Sequence, residues 1–152
     1  FDMPANNENA PQHDFLTITI ADQTFGIPVL QVQDVLREQR VTRVPLAPPE
    51  VEGSLNLRGR IVTAINMRKR LGLPHRVKQP GEKDMSVVVE HDGELFSLLI
   101  DTVGDVLSLP RSEYQSNPAT LDPVWLAVSS GIYRLERKLL VVLDVPKLLG
   151  AV

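Results

Sequence analysis

The segment VEGSLNLRGRIV, residues 51–62, is the most informative stretch of the sequence. Gly53 and Gly59 enclose a short apolar segment that carries Arg58, and a strand-like run from Ile61 to Ile65 follows at once. We expect both glycines to permit backbone geometry that other residues resist. The planar guanidinium of Arg58 suits either an exposed contact or a structural role in which it bonds neighbouring carbonyls, and we favour the structural role.

The sequence on both sides of this segment repeats itself. With an offset of 71 positions, residues 25–36 align with residues 96–107. With an offset of 78 positions, residues 53–72 align with residues 131–150 without a gap. Because two independent blocks match in the same order, the sequence predicts a duplicated fold unit.

The repeat divides the chain into two units within one domain, residues 14–152. We place the first unit at roughly residues 14–78 and the second at roughly residues 79–150, and an exchange of strands between them stays open. The polar residues before the domain, 1–13, are predicted to form a mobile N-terminal arm.

Each unit has the pattern of several short strands. Residues 16–20 alternate apolar residues with threonine, which is typical of a half-buried strand. The Asp92-Gly93 pair lies between two apolar runs and predicts a hairpin. Short helices are expected to end at Gly72 and Gly150. The pattern predicts a mainly β chain of two small barrels that share an apolar seam, because closure removes exposed strand edges.

The composition excludes several classes of protein. The 152-residue chain is 43% hydrophobic and 23% charged, as is usual for a globular protein. It has no cysteine, which excludes disulfides and thiolate chemistry. No apolar run reaches the ~18 residues of a membrane-spanning helix. The net charge of -3 gives no global indication of binding to nucleic acid or to an anionic membrane.

The charge is unevenly distributed between the two units. Residues 1–78 contain 10 basic and 8 acidic residues, for a net charge of +2, whereas residues 79–152 contain 6 and 11, for a net charge of -5. This asymmetry either reflects ordinary surface variation or allows unlike halves of neighbouring molecules to attract each other.

The sequence shows no recognisable catalytic or metal-binding arrangement. His13, His75 and His91 are far apart and lack the spacing of metal ligands. Asp101 and Asp105 are four residues apart, and paired carboxylates can serve acid–base chemistry. We interpret these two residues instead as turn and capping residues. We therefore expect no enzymatic activity, no metal and no cofactor.

A basic cluster occupies positions 58 to 78 with no acidic residue among its members. A nucleic-acid-binding barrel would combine such a patch with stacking aromatic residues. The stretch contains no Phe, Tyr or Trp, so we favour a solvated helix face and keep a nucleic-acid-binding β-barrel as the remote alternative. The members of the cluster are Arg58, Arg60, Arg68, Lys69, Arg70, Arg76 and Lys78.

The order of these features resembles the CheW-like family of chemotaxis coupling proteins over residues 14–150. The resemblance implies two SH3-like five-stranded β-barrels, packed pseudo-symmetrically, with a few short helices. The matching stretches are FGIPVLQVQDV (25–35), Val44-Pro45, Pro48, VEGSLNLRG (51–59), Met67-Arg68 and LIDTVGDVL (99–107).

The same resemblance implies a non-catalytic adaptor that is cytoplasmic and recruited to membrane-associated receptor arrays. It would link the cytoplasmic tips of chemoreceptors to a histidine kinase through the kinase's own CheW-like regulatory domain, and further coupling proteins would join it in rings. The resemblance implies no nucleic acid and no direct membrane insertion. The chain is either a free-standing coupling protein, which we favour, or the same module of a larger kinase or of a receiver-fused protein.

The resemblance also implies a groove between the two barrels that receives receptor helices. On this sequence the receptor- or partner-binding candidates are Val29, Val32, Val35 and Val103. Each of these valines also suits a position in the core. A receptor helix would present apolar anchors at helical spacing to such a groove.

The signature residues Gly53, Asn56, Arg58 and Gly59 are candidates for a structural or partner-binding role. The offset of 78 places residues 56–59 opposite residues 134–137, where only the leucine persists. Leu57 is therefore expected to serve the repeated fold, and the other signature residues a task of the first unit alone. Asn66 stands where many members of the family have aspartate, which removes a charge near the region between the barrels.

Overall fold

The computed structural model describes residues 11–37, 40–74, 77, 79–81 and 85–150. Residues 1–10 of the predicted N-terminal arm lie outside the described residues. Gln12 and His13, which the prediction also placed in the arm, are the first residues of a strand.

The described part of the chain forms ten strands and a few short helical segments. The strands are β1 Gln12–Ile20, β2 Gln23–Pro28, β3 Val32–Arg37, β4 Val51–Leu57, β5 Arg60–Asn66, β6 Met85–His91, β7 Glu94–Ile100, β8 Thr102–Pro110, β9 Ser129–Arg134 and β10 Leu139–Leu143. The α-helices are α1 Met67–Arg70, α2 Pro123–Leu126 and α3 Val145–Leu149, and 3₁₀ turns cover Val29–Gln31 and Arg111–Glu113.

The strands form two five-stranded sheets with the same topology. Sheet 1 has the order β8-β1-β2-β10-β9, and sheet 2 has the order β3-β6-β7-β5-β4. Each sheet contains one parallel pair, β2 with β10 in sheet 1 and β7 with β5 in sheet 2. The prediction of a mainly β fold with two five-stranded units and few short helices is confirmed.

The two sheets exchange their first hairpins relative to the sequence repeat. The hairpin β1–β2 pairs with β8 and β10, and the hairpin β6–β7 pairs with β3 and β5. Each sheet therefore takes strands from both sides of residue 78. The offset of 71 superposes β2–β3 on β7–β8, and the offset of 78 superposes β4, β5 and α1 on β9, β10 and α3.

Two-residue turns with positive φ close the hairpins β1–β2, β4–β5 and β6–β7. Asp92 and Gly93 have φ values of 52° and 80°, and Ala21 and Asp22 have φ values of 50° and 67°. Positive φ at both central residues is the geometry of a type I′ turn, whose twist matches that of the flanking strands. The Asp-Gly pair therefore forms the hairpin that the sequence predicts.

The largest core cluster contains buried residues of both sheets. Ile18 and Ile27 of sheet 1 are fully buried in it together with Val87 and Leu98 of sheet 2. Smaller clusters lie within each sheet, with Val62 and its neighbours in sheet 2 and with Tyr133 and its neighbours in sheet 1. The two sheets thus share an apolar seam, because neither small unit buries enough apolar surface by itself.

Equivalent residues of the repeat cap the two helices that follow the central parallel strands. The Lys69 N–H donates to Asn66 Oδ1, and the Lys147 N–H donates to Asp144 Oδ1, each over 3.0 Å. Both are N-cap interactions, which satisfy a backbone donor that the helix leaves free. Gly72 follows α1 with φ of 71°, as expected for a helix end, whereas Gly150 has an ordinary φ of -63°.

Candidate partner-binding surface

The two edge strands β3 and β8 carry equivalent pairs of valines. The offset of 71 places Val32 opposite Val103 and Val35 opposite Val106. Val32 and Val103 are half-buried and pack against the shared core. Val35 and Val106 are exposed, by 38% and 58%.

The exposed valines lie on the faces of their strands that point towards the shared core. Val35 pairs with Val87, and Val106 pairs with Leu16, and both partners are buried in that core. Directly paired residues project from the same face of a sheet. The shared core therefore reaches the surface at both edges. We call Val32, Val35, Val103 and Val106 the seam valines.

Val106 was missed by reasoning from the sequence, although the repeat contained the signal. Position 106 is the equivalent of Val35 under the offset of 71, so any surface role inferred for Val35 applied to it as well. Val106 is more exposed than Val35 and completes the set of equivalent positions on the two edge strands.

Val29 lies on a different surface. It belongs to a 3₁₀ turn and lines a cavity of about 380 Å³ together with the 95% exposed Leu30 and with His13. His13 Nδ1 forms a hydrogen bond of 2.9 Å with the hydroxyl of Tyr133. Burial, followed by the charge of Arg111, lowers the pKa of His13. This cavity lies beside the core cluster of sheet 1, and none of the seam valines lines it.

The signature segment forms the tight turn between β4 and β5. Arg58 and Gly59 have φ values of 51° and 84°, and Leu57 pairs with Arg60 across the turn. The Gly59 N–H donates to Asn56 Oδ1 over 2.9 Å, so the asparagine side chain closes the turn. At the equivalent turn of the second unit, residues 136 and 137 do not have positive φ. Asn56 and Gly59 therefore serve local geometry that the duplicate lacks.

Arg58 connects the two edges of sheet 2. Its Nη2 lies 2.8 Å from Asp34 Oδ2, in an ion pair whose side chains are 76% and 23% exposed, respectively. Asp34 belongs to β3 and Arg58 follows β4, and these are the two outermost strands of the sheet. The partner of Arg58 in this contact is a carboxylate rather than the neighbouring carbonyls that the sequence interpretation named. The ion pair joins Arg58 to the residue that precedes Val35 in β3.

Gly53 allows another segment of backbone to approach β4. Thr42 and Ser54 each donate their N–H to the other's carbonyl over 2.8 Å. A Cβ at position 53 would overlap the carbonyl oxygen of Thr42 and would lie 2.7 Å from its carbonyl carbon and 2.8 Å from Val41 Cγ1. With φ of 151° as well, the position requires glycine for structural reasons.

Arg68 and Arg70 of the basic cluster hold parts of the fold together. Arg68 donates from Nε to Asp101 Oδ1 over 3.0 Å and from Nη2 to Asp101 Oδ2 over 2.6 Å. Arg70 Nε donates to the carbonyl of Leu148, its own equivalent in the repeat, over 2.9 Å. The interpretation of these two residues as a solvated helix face was wrong, because their guanidinium groups form hydrogen bonds to other parts of the fold. Arg76 and Lys78 lie outside the described residues.

The described residues contain no cluster of metal ligands and no membrane-spanning helix. No group of three or more His, Asp or Glu side chains in that part of the chain is placed to hold a metal ion. His75 lies outside it. None of the described helices is both long and apolar enough to span a bilayer. Asp101 lies in the bend between β7 and β8, but its carboxylate accepts from the N–H of Ala21, 80 positions away, rather than capping its own turn as the sequence interpretation proposed.

Comparison with known proteins identifies the family. The CheW-like domain family matches residues 14–152. The chain is 27% identical over 145 residues to a chemotaxis protein CheW of Treponema pallidum, which covers 94% of this chain and 85% of the relative. It is 29% identical over 129 residues to the chemotaxis protein CheW of Bacillus subtilis, in an alignment that covers 85% of this chain and 81% of the relative.

A solved structure gives the same result. The scaffolding protein TtCheW from Thermoanaerobacter tengcongensis superposes with a TM-score of 0.77 at 25% identity, over 88% of this chain and 90% of that one. The equivalence therefore extends to both sheets rather than to one repeat unit. On the family match and this fold, the chain belongs to the CheW-like domain family.

Proposed function

We propose that this chain is a non-catalytic chemotaxis adaptor of the cytoplasm that couples chemoreceptor tips to a histidine kinase. The observation that carries the proposal is the extension of the shared core to the surface at β3 and β8. The relatives named chemotaxis protein CheW and the structural neighbour named a scaffolding protein support a role in holding other proteins together.

The receptor would dock at the seam valines. Val35 and Val106 already belong to the faces that bury the shared core, so an amphipathic helix placed over them would extend that core. Burial of a valine side chain contributes about 1.5 kcal/mol or more. Two half-exposed valines therefore support a reversible contact, which an array of many receptors and adaptors would strengthen by multivalency.

The signature turn would support this groove from the side of β3. Asp34 precedes Val35, and its carboxylate pairs with Arg58. Because the pair joins the two outermost strands of sheet 2, it limits how far β3 can move from β4. Arg58 thereby affects receptor binding through the position of Val35.

The kinase would be bound through its own CheW-like regulatory domain, and other coupling proteins would join the assembly in rings. A domain of the same fold presents equivalent surfaces, and exposed charges of opposite sign on them would attract each other, whereas the net charges of +2 and -5 belong to halves of the sequence that both sheets share. We expect the complex with the kinase domain to weaken modestly as salt rises, because salt screens exposed charges. A flat response to salt would show that exposed charges contribute nothing to this contact.

The receptor contact is tested with the Val35→Glu and Val106→Glu variants. Each places a carboxylate where the receptor helix would bury an apolar surface, and the variants are titrated against a chemoreceptor cytoplasmic-tip fragment. We expect each to weaken binding at least tenfold, or about 1.4 kcal/mol. Val124→Glu is the matched control, because Val124 lies on α2 and is 37% exposed, close to the 38% of Val35.

The outcome separates the seam from the rest of the surface. Tight binding by both seam variants would reject the groove. Equal loss in the Val124 control would show that the added charge, rather than its position, disturbs binding. Circular dichroism of each variant establishes that the fold is retained.

A further inference from the structure

The crossover from sheet 2 to sheet 1 is held by a partly buried ion pair. β7 ends at Ile100 in sheet 2, and β8 begins at Thr102 in sheet 1, so Asp101 is the single residue between the two sheets. Arg68 binds Asp101 through two parallel hydrogen bonds of 3.0 and 2.6 Å. The side chains of the pair are only 20% and 14% exposed, so solvent screens the interaction little.

The same carboxylate also binds the tip of the β1–β2 hairpin. Ala21 N–H donates to Asp101 Oδ2 over 3.0 Å, and the Asp101 N–H donates to the carbonyl of Thr19 over 3.2 Å. Arg68 Nη1 donates in addition to the carbonyl of Pro74 over 3.0 Å. Asp101 thus connects α1 of the sheet 2 side to β1, the strand beside β8 in sheet 1.

The second crossover of the repeat has no such pair. The offset of 71 places Leu30 at the position of Asp101, and the offset of 78 places Pro146 at the position of Arg68. Neither side chain carries a charge, and Leu30 is 95% exposed. The crossover into β3 is instead a 3₁₀ turn, Val29–Gln31. The two edge strands that carry the seam valines are therefore attached in different ways.

We propose that Arg68 and Asp101 are positioning residues that fix the start of β8 and thereby set the spacing between the seam valines of β8 and those of β3. Val103 lies two residues after Asp101, and a bidentate guanidinium–carboxylate pair fixes orientation as well as distance. In this arrangement β8 is the fixed side of the groove. The β3 side depends on the exposed pair of Arg58 and Asp34.

The spacing is measured with spin labels at Gln33 and Asp105, exposed residues of β3 and β8. Because the chain has no cysteine, cysteines introduced at these two positions are labelled selectively. We expect a narrow distance distribution in the otherwise unchanged chain and a broadened or shifted one in Arg68→Ala. Lys69→Ala is the control, because it removes the same charge from the neighbouring position of α1 and should leave the distribution unchanged.

The conservative variant Arg68→Lys separates geometry from charge. Lysine keeps the positive charge but lacks the planar fork, so it should restore folding stability more fully than it restores the label distance. If Arg68→Ala does not fold, Arg68→Lys supplies the distance measurement. A distribution like that of the unchanged chain in the folded Arg68 variants would overturn the proposal.

Receptor binding supplies the second readout, which rests on the proposed function. We expect Arg68→Ala to bind the chemoreceptor tip fragment about tenfold more weakly than Lys69→Ala, a difference of about 1.4 kcal/mol. If the unchanged chain does not bind the fragment, the proposed function fails, while the label distances still decide whether Arg68 positions β8. Full-strength binding by Arg68→Ala together with an unaltered distance would contradict the inference.

Discussion

Substitution of two signature glycines by alanine compares a crowded position of unusual φ with an open position in the left-handed region. Gly59→Ala adds a Cβ with nothing within 4 Å, at a φ of 84°. Gly53→Ala adds a Cβ that overlaps the backbone of Thr42 and lies 2.8 Å from Val41 Cγ1, at a φ of 151°. Both substitutions reduce the conformational entropy of the unfolded chain to the same extent, so this contribution cancels between them.

The two losses of stability should therefore differ by the cost of the overlap together with the extra backbone strain of alanine at φ of 151° compared with φ of 84°. An alanine in the left-handed region costs about 1–2 kcal/mol, which sets the scale for Gly59→Ala. Forcing a methyl group into occupied space adds about 1–3 kcal/mol, and more when backbone atoms must move. We expect the free energy of unfolding to fall about 2 kcal/mol further in Gly53→Ala than in Gly59→Ala. For a chain of this size, that is roughly 4–8 °C in Tm.

Equilibrium unfolding in urea measures the difference. Trp125, the only tryptophan of the sequence, reports on the fold because its ring lies 5.2 Å from that of Phe25 in the shared core region. Both variants should show the same dependence of free energy on urea as the unchanged chain. Equal losses in the two variants would refute the role assigned to Gly53, since the close approach of Thr42 would then contribute nothing.

Three further predictions concern polar side chains. Arg58→Ala should lower the free energy of unfolding by about 1 kcal/mol, because the arginine is 76% exposed but the Asp34 carboxylate that loses its partner is only 23% exposed. Arg58→Ala and Asp34→Asn should weaken binding of the receptor tip non-additively, and additive losses in a double-mutant cycle would show independent action. The pKa of His13 is lower in the fold than in the unfolded chain, so the stability that neutral His13 contributes is present above about pH 6.5 and lost as the pH falls below that value. The free energy of unfolding in urea should therefore decline less from pH 7 to pH 5 in His13→Gln than in the unchanged chain, and identical declines would contradict this. Asn66→Ala should cost about 1 kcal/mol or more in the same assay, because it removes the N-cap and the hydrogen bond to Glu52 Oε1; Asn66→Ser loses the bond to Glu52 but retains a cap, and equal losses in both would argue against the cap.

Local features of the sequence predicted much of the fold. The Asp92-Gly93 turn follows from residue types at adjacent positions, because only a few residues tolerate positive φ at low cost. The internal repeat predicted two equivalent units, and equivalent residues such as Asn66 and Asp144 do cap equivalent helices. The family match confirmed the resemblance that these motifs carried.

The sequence pattern did not predict which distant strands and side chains pair with each other. The exchange of the β1–β2 and β6–β7 hairpins leaves each strand's alternation unchanged, because a strand shows the same pattern whichever unit it joins. The ion pairs of Arg58 and Arg68 join residues 24 and 33 positions apart, and nothing at either site predicts its partner. For the same reason Arg68 and Arg70 of the basic cluster were misread as part of a solvated helix face.

The candidate site was predicted in part. Val32, Val35 and Val103 lie on the two edge strands at the seam, and Val106 joins them as the equivalent of Val35. Val29 has the same residue type and nearly the same sequence spacing, but the 3₁₀ turn directs it to the cavity beside His13. Helical spacing alone does not reveal where a chain crosses from one sheet to another.

A bridging assay tests the adaptor role most directly. Chemoreceptor tip fragments are immobilised, the labelled CheW-like regulatory domain of a histidine kinase is added, and its retention is measured with and without this chain. We expect retention to require the chain and to fall strongly with the Val35→Glu, Val106→Glu double variant, while Val124→Glu retains it. A folded chain that binds neither partner, or kinase retention that is independent of the chain, would contradict the adaptor role.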